Sequence, residues 1–142
     1  MPMPLEYRQA SADFDRFMKD LVTTSMLTSS HQAYTMLQAV FYVFRRRLTV
    51  AEAIAFAGVL PPVLRAIFVS DWRPEEPQLP FVARDELQKE IRAFRYDHNL
   101  STETAVEDVA ESLKRHVDAR AFQRLLAGFA PEARHFWKLH PA

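Results

Sequence analysis

The sequence predicts an all-α fold: two pseudo-repeated four-helix units on a shared core, about eight helices in all. Three observations lead there. Ala57-Gly58-Val59-Leu60-Pro61 returns 70 positions later as Ala127-Gly128-Phe129-Ala130-Pro131, each copy preceded by a polar cap, Thr49 or Asp118. Upstream, Phe14, Met18, Leu21 and Leu27 line up with Leu87, Ile91, Phe94 and Leu100. Apolar residues recur at helical spacing along most of the chain, and almost nothing alternates as a strand would.

The elements follow from caps and stops. Phe14, Phe17, Met18 and Leu21 share one face of a first helix over residues 12–24. Ser29 and Gln32 form a capping-box pattern that opens a second helix, running to about Arg47. Thr49 and Glu52 repeat that pattern for a third, which stops at Gly58. Pro61 and Pro62 suit the first turn of a fourth, where the amide protons they lack would be unpaired anyway. Residues 71–80 carry three prolines and should be an extended linker, with Trp72 and Phe81 pinning its ends. The second unit repeats the plan near residues 84–96, 101–116, 119–127 and 131–138, with Ser101 and Asp118 as N-caps and Gly128 as a stop. The whole is expected to be one domain over residues 1–142, its repeats spanning about 10–70 and 83–140.

One helix departs from its partner. Ala105, Val106, Val109, Ala110 and Leu113 form a single apolar stripe, as an amphipathic helix requires. Residues 30–47 do not, because Met36, Leu37, Ala39, Val40, Phe41, Tyr42, Val43 and Phe44 cover nearly every side. A helix apolar all round is buried all round. It is either the central helix of the chain or part of a homodimer interface, and the central position is preferred because a 70-residue unit alone would bury too little surface.

Composition sets the class. Apolar residues make up 49% and charged residues 25%, which is globular rather than disordered. Eleven Phe against two Gly imply a well-filled core. A formal net charge of zero argues against a general polyanion binder. The absence of cysteine excludes disulfides, thiolate metal sites and a cysteine nucleophile. The opening residues lack a basic-then-apolar leader, and the longest apolar stretch, Ala39 to Phe44, is far short of a membrane span. A cytoplasmic protein with no membrane contact is the expectation.

Leu48-Thr49-Val50-Ala51-Glu52-Ala53, Leu60-Pro61 followed by Leu64-Arg65, and Asp71-Trp72 resemble the DUF2267 family of bacterial proteins. The segment from Arg92 to Leu100, with Tyr96-Asp97-His98-Asn99 its least generic part, is similar to that family's second half. The likeness runs from about Tyr7 to Trp137. It implies a helical, duplicated domain and brings no catalytic residues to carry over.

Four groups of residues invite a functional reading. Asp97, His98 and Asn99 form a candidate polar site, in which Asp97 would tune a histidine base. Neighbours on a helix diverge by about 100°, however, so a helix end with Asn99 in the left-handed turn is preferred. Arg45, Arg46 and Arg47 are a candidate phosphate site; they also sit in a last helical turn, where cations complement the dipole. Phe41, Tyr42 and Trp72 are candidate interaction residues on the apolar excess. His116, His135 and His140 raise a metal, but the spacing of the last two puts them on different helix faces, and only Glu132 is near.

Residues 50–69 have the spacing of a helix-turn-helix, with Pro61–Phe68 as the reading helix and the arginines upstream. That segment offers only Arg65 to base edges, where several polar groups are needed. Glycine-rich phosphate loops, nucleophile elbows and zinc-helix motifs are absent. The preferred reading is a non-enzymatic interaction or regulatory module without cofactor, whose partner is a protein or a second copy. Nucleic-acid binding through the degenerate helix-turn-helix, and a small apolar ligand held between the repeats, stand as alternatives.

Overall fold

The computed structural model describes residues 2–138, and of His98 the backbone alone. The described residues form nine helices and no strand. A single turn, α1 (Leu5–Arg8), which the periodicity does not signal, buries nothing. α2 (Ala10–Ser25) turns Phe17, Met18 and Leu21 inward and ends where Met26 takes a left-handed conformation, φ 61°.

Local chemistry sets the next boundaries. Ser29 caps α3 (Ser30–Arg45) by accepting from the Gln32 amide at 3.2 Å. The Gln32 side chain completes no box: its Oε1 accepts from the amide and hydroxyl of Thr28 instead. At α4 (Val50–Gly58) the box closes in both directions, with Thr49 and Glu52 exchanging bonds of 3.1 and 2.8 Å. Pro61 caps α5 (Pro62–Val69), and Pro62 takes its first position. Residues 72–83 hold no helix.

Beyond the linker two boundaries differ from the sequence expectation. α6 (Arg84–Ala93) ends early because Arg95 adopts the left-handed region, φ 48°, and a 3-10 turn follows over Tyr96–His98. α7 (Ala105–His116) starts at Ala105, so Ser101 is not its cap; Thr104 stands at that position and makes no side-chain cap bond. The hydroxyls of Thr102 and Thr104 instead donate to Asp108 one turn inside the helix, at 2.7 and 3.1 Å. α8 (Ala119–Ala127) is capped by Asp118, which accepts from the amides of Arg120 and Ala121, and α9 (Pro131–Trp137) closes the described chain.

α3 lies at the centre. It packs on α2, α5, α6 and α7, and Ala33, Met36, Leu37, Ala39, Val40, Phe41, Val43 and Phe44 are all buried within one chain. Phe44 carries the aromatic core. Its ring lies 5.0 Å from Phe56, 4.8 Å from Phe136 and 5.1 Å from Trp137. Trp137 in turn stacks on Phe56 at 5.6 Å. α2 packs chiefly on α7, so helices from both sides of the linker fill the same core.

The two four-helix repeats expected from the sequence are not confirmed; a correspondence is confined to α4–α5 and α8–α9, at a different register. α4 and α8 match in length and capping at a separation of 69, as do the starts of α5 and α9. At that separation Arg65 and Arg134 coincide, and each donates to a carbonyl of the turn before its helix, Leu60 O at 2.9 Å and Phe129 O at 2.6 Å. Gly58 and Gly128, which define the sequence echo, are therefore not equivalent: Gly58 is the last residue of α4 and Gly128 the C-cap of α8. Upstream the halves differ, with sixteen residues in each of α2 and α3 against ten and twelve in α6 and α7.

Two substitutions test this packing. Phe41 is 1% exposed and meets Phe68 edge-on at 5.2 Å. Phe41→Ala should therefore cost about 3–5 kcal/mol in denaturant unfolding. Gly58 has no positive φ, and a Cβ there meets no atom within 4 Å. Gly58→Ala should be stabilising by about 0.4–1 kcal/mol on the same assay, by restricting the unfolded chain.

Candidate functional site

The three consecutive arginines do not form a phosphate site. Arg45 is buried and donates to the carbonyls of Phe68 and Ser70, at 2.8 and 3.1 Å, closing the C-terminal end of α5. Its guanidinium lies 5.8 Å from the ring centres of Tyr42 and Trp72, and burial pulls its pKa below the usual arginine range. Arg47, also buried, makes a forked pair with Glu90 of α6, at 3.0 and 2.7 Å. It donates further to the carbonyls of Val43 and Pro80. Arg46 shares Glu90 at 2.9 Å and covers the Tyr42 ring at 4.9 Å. The arginines bind the end of α3 to α5, to α6 and to both ends of the linker. Their charge is spent inside the molecule.

The other sequence candidates are likewise structural. Phe41 is core, which removes it as an interaction residue; Tyr42 and Trp72 are half-buried around the arginines. Asn99 is extended, φ −106°, and not left-handed; that conformation falls on Arg95. The Asn99 amide instead donates to the carbonyls of Ile91 and Phe94, and its Oδ1 accepts from the amide and hydroxyl of Ser101. Asn99 thus splices the end of α6 to the approach of α7. Asp97 is exposed in the 3-10 turn, while the His98 side chain and His140 lie outside the described residues. In the helix-turn-helix segment Leu64 and Phe68 are buried, and Arg65 is half-buried with its guanidinium on Ala57 O and Leu60 O. The exposed positions of α5 are Ala66 and Val69, which have no donor or acceptor for a base edge.

A cluster that the sequence reading missed joins α2 to α7. Asp20 accepts both Nε and Nη2 of Arg115 at 2.8 Å, the Thr24 hydroxyl at 3.0 Å and His116 Nε2 at 2.8 Å. The Arg115 hydrogen bonds hold the Asp20 carboxyl down at about 2; burial opposes them, and His116 and Thr24 add to them. Since Asp20 is an acceptor only, His116 Nε2 carries the proton, and in a neutral ring Nδ1 holds the free lone pair. His116 borders a crevice of about 190 Å³, lined also by Phe14, Phe17, Val63 and Leu64 and by the paired Asp13 and Arg16. No serine, threonine or lysine lines it.

A second concavity has more room and a different lining. Between α7, α8 and α9 lies a groove of about 360 Å³ whose floor is Phe122, Leu126 and Trp137. Its rim carries Lys114, Arg134 and Lys138, and no carboxylate lines it. None of the three cations is in an ion pair among the described residues. The Trp137 indole Nε1–H is buried without a partner among those residues. The sequence does contain the signal for this groove. Phe122 and Leu126 share the apolar face of α8, and the cations stand at the ends of two other helices. Only the fold brings them together.

Among the described residues no three histidine or carboxylate side chains gather as a metal cluster, and no helix is long and apolar enough to cross a membrane. The family model described as an uncharacterized conserved protein, DUF2267, matches residues 14–136, most of the chain. Among curated proteins none matches.

The Asp20 cluster yields a pH prediction. A carboxyl lowered to about 2 in the folded chain contributes stability that is fully present above its unfolded pKa, near 3.9, and is lost as pH falls through the folded value. Asp20→Asn should cost about 1–2 kcal/mol at pH 7, the worth of hydrogen bonds to a charged group at a partly solvated site. The cost should shrink between about pH 4 and pH 2 when urea unfolding of the two proteins is compared.

Proposed function

The chain belongs to the DUF2267 family, and we propose that it works as a non-enzymatic, ligand-responsive module that holds a small, partly apolar molecule in the groove between α7, α8 and α9. One observation carries this reading: the groove combines a ring-lined floor, Phe122 and Trp137, with a volume of about 360 Å³. Small-molecule sites are concave, mostly apolar and furnished with a few polar groups that fix orientation, and their volumes start near about 300 Å³. The Asp20–His116 crevice is smaller, at about 190 Å³, and the paired Asp13 and Arg16 are among its lining.

The alternatives lose their warrants. A protein-interaction reading rests on an apolar excess along α3 and on Trp72 and Phe81 at the linker; the α3 excess is buried apart from Tyr42, which like Trp72 and Phe81 is half-buried. A nucleic-acid reading rests on α5 and the arginines, whose polar groups are engaged internally. A ligand held between the sequence halves moves, in this proposal, to a groove built wholly from α7, α8, α9 and the residue after them.

Trp137 makes the test direct. In a Trp72→Phe background it is the sole tryptophan. Octanoate or 1-octanol should change its emission saturably, with one molecule bound per chain. Ala127→Phe, at an exposed lining position, should abolish the change without lowering stability. Absence of saturable binding by either probe overturns the proposal.

A further inference from the structure

We infer that the occupant of the α7–α8–α9 groove is an anionic amphiphile, an acidic head group on a short apolar body, and this inference rests on the ligand-binding reading above. The argument is one of charge. The protein as a whole has as many Asp and Glu as Lys and Arg, 18 of each. Around this groove the balance fails: Lys114, Arg134 and Lys138 line it, and no Asp or Glu does. The remaining polar lining, Gln123 and His135, supplies no fixed negative charge.

Several cations elsewhere have a carboxylate partner. Arg46 and Arg47 share Glu90, Arg115 is paired with Asp20, and Arg84, Arg92 and Arg65 each face a glutamate at 3.9 Å. Lys114, Arg134 and Lys138 make no such pair among the described residues, and what sets them apart is that all three line one groove beside apolar side chains. Arg134 is also held in place, because its Nη1 donates to Phe129 O at 2.6 Å and leaves the rest of the guanidinium fork free. Arg and Lys are donors only, and a carboxylate accepts only, so the rim's chemistry matches an acidic head group. Phe122, Leu126 and Trp137 back the groove at 2%, 8% and 1% exposure, and the exposed Ala127 lies beside them. A purely inorganic anion would make no use of the apolar part of the lining, and a neutral hydrocarbon would leave the cations uncompensated. An amphiphile with one acidic end meets both requirements.

The test compares two probes that differ only in the head group, octanoate and 1-octanol, by Trp137 emission in the Trp72→Phe protein at pH 7 and low salt. Octanoate should bind at least about tenfold more tightly. That advantage should shrink towards unity in Lys114→Gln/Arg134→Gln/Lys138→Gln protein, and also as salt screens the exposed rim. Because Arg134 also supports the turn before α9, Lys114→Gln/Lys138→Gln serves as a second variant that leaves that bond intact; it should lose most of the preference. Equal affinities for the two probes, or a preference that survives both variants, overturn the anionic assignment while leaving the groove as the binding site. Failure of both probes to bind overturns the groove itself, and the assignment with it.

Discussion

A helix that is apolar on nearly every side has to be wrapped, and the structure is the consequence of wrapping α3. Eight apolar side chains from Ala33 to Phe44 are buried, so α2, α5, α6 and α7 must close around it. The difficult part is its C-terminal end, where unpaired carbonyls and three consecutive arginines would have to share a dry interior. The solution is reciprocal. Arg45 supplies the donors that the end of α5 lacks, and Arg47 meets Glu90 in a forked pair while also reaching the carbonyls of Val43 and Pro80. Leu79 and Gln78 of the linker donate back to the carbonyls of Arg46 and Arg47. Replacing a buried ion pair as a whole is often harmless, but removing one partner strands the other. The arginine cluster therefore specifies where the linker and α6 sit more than it adds net stability.

The same helix positions the groove. Phe44 touches Phe136 and Trp137 of α9, and Trp137 stacks on Phe56 and meets Phe122 edge-on. The floor of the groove is thus an outer surface of the central aromatic cluster. It is held in place because it belongs to the core, with Phe122 and Trp137 only 2% and 1% exposed. The rim cations stand on the ends of α7 and α9 and just beyond, where positive charge also complements helix C-termini.

Much of the fold was legible in the sequence because its signals are local. Thr49 with Glu52, Asp118, Pro62 and Pro131 each act within four residues, and each does in the structure what its residue type implies. The apolar surround of residues 36–44 was enough to place α3 at the centre. Errors arose where a local signal had a distant competitor. Ser101 looks like a cap, but Asn99 takes its hydroxyl, and Asp108 draws in Thr102 and Thr104. The Gly-Pro echo aligned the halves at 70, whereas the caps match at 69 and only for α4–α5 against α8–α9, since the two glycines sit on opposite sides of a helix boundary. The sites were least legible. Three adjacent arginines look free until Glu90, 43 residues on, and the carbonyls of Phe68 and Ser70 come into reach. Asp20 and His116 are 96 positions apart, so no spacing rule could join them.

With the arginines engaged and the Asp20–His116 crevice small, the α7–α8–α9 groove is the surface on which the proposed function rests. Backbone amide shifts, followed residue by residue during an octanoate titration, test that assignment most directly. The largest changes are predicted at Lys114, Phe122 to Ala127 and Arg134 to Lys138, with Arg45 to Arg47 and the Asp20–His116 pair unmoved. Changes centred on the arginines or on the crevice, or no saturable change anywhere, would contradict it.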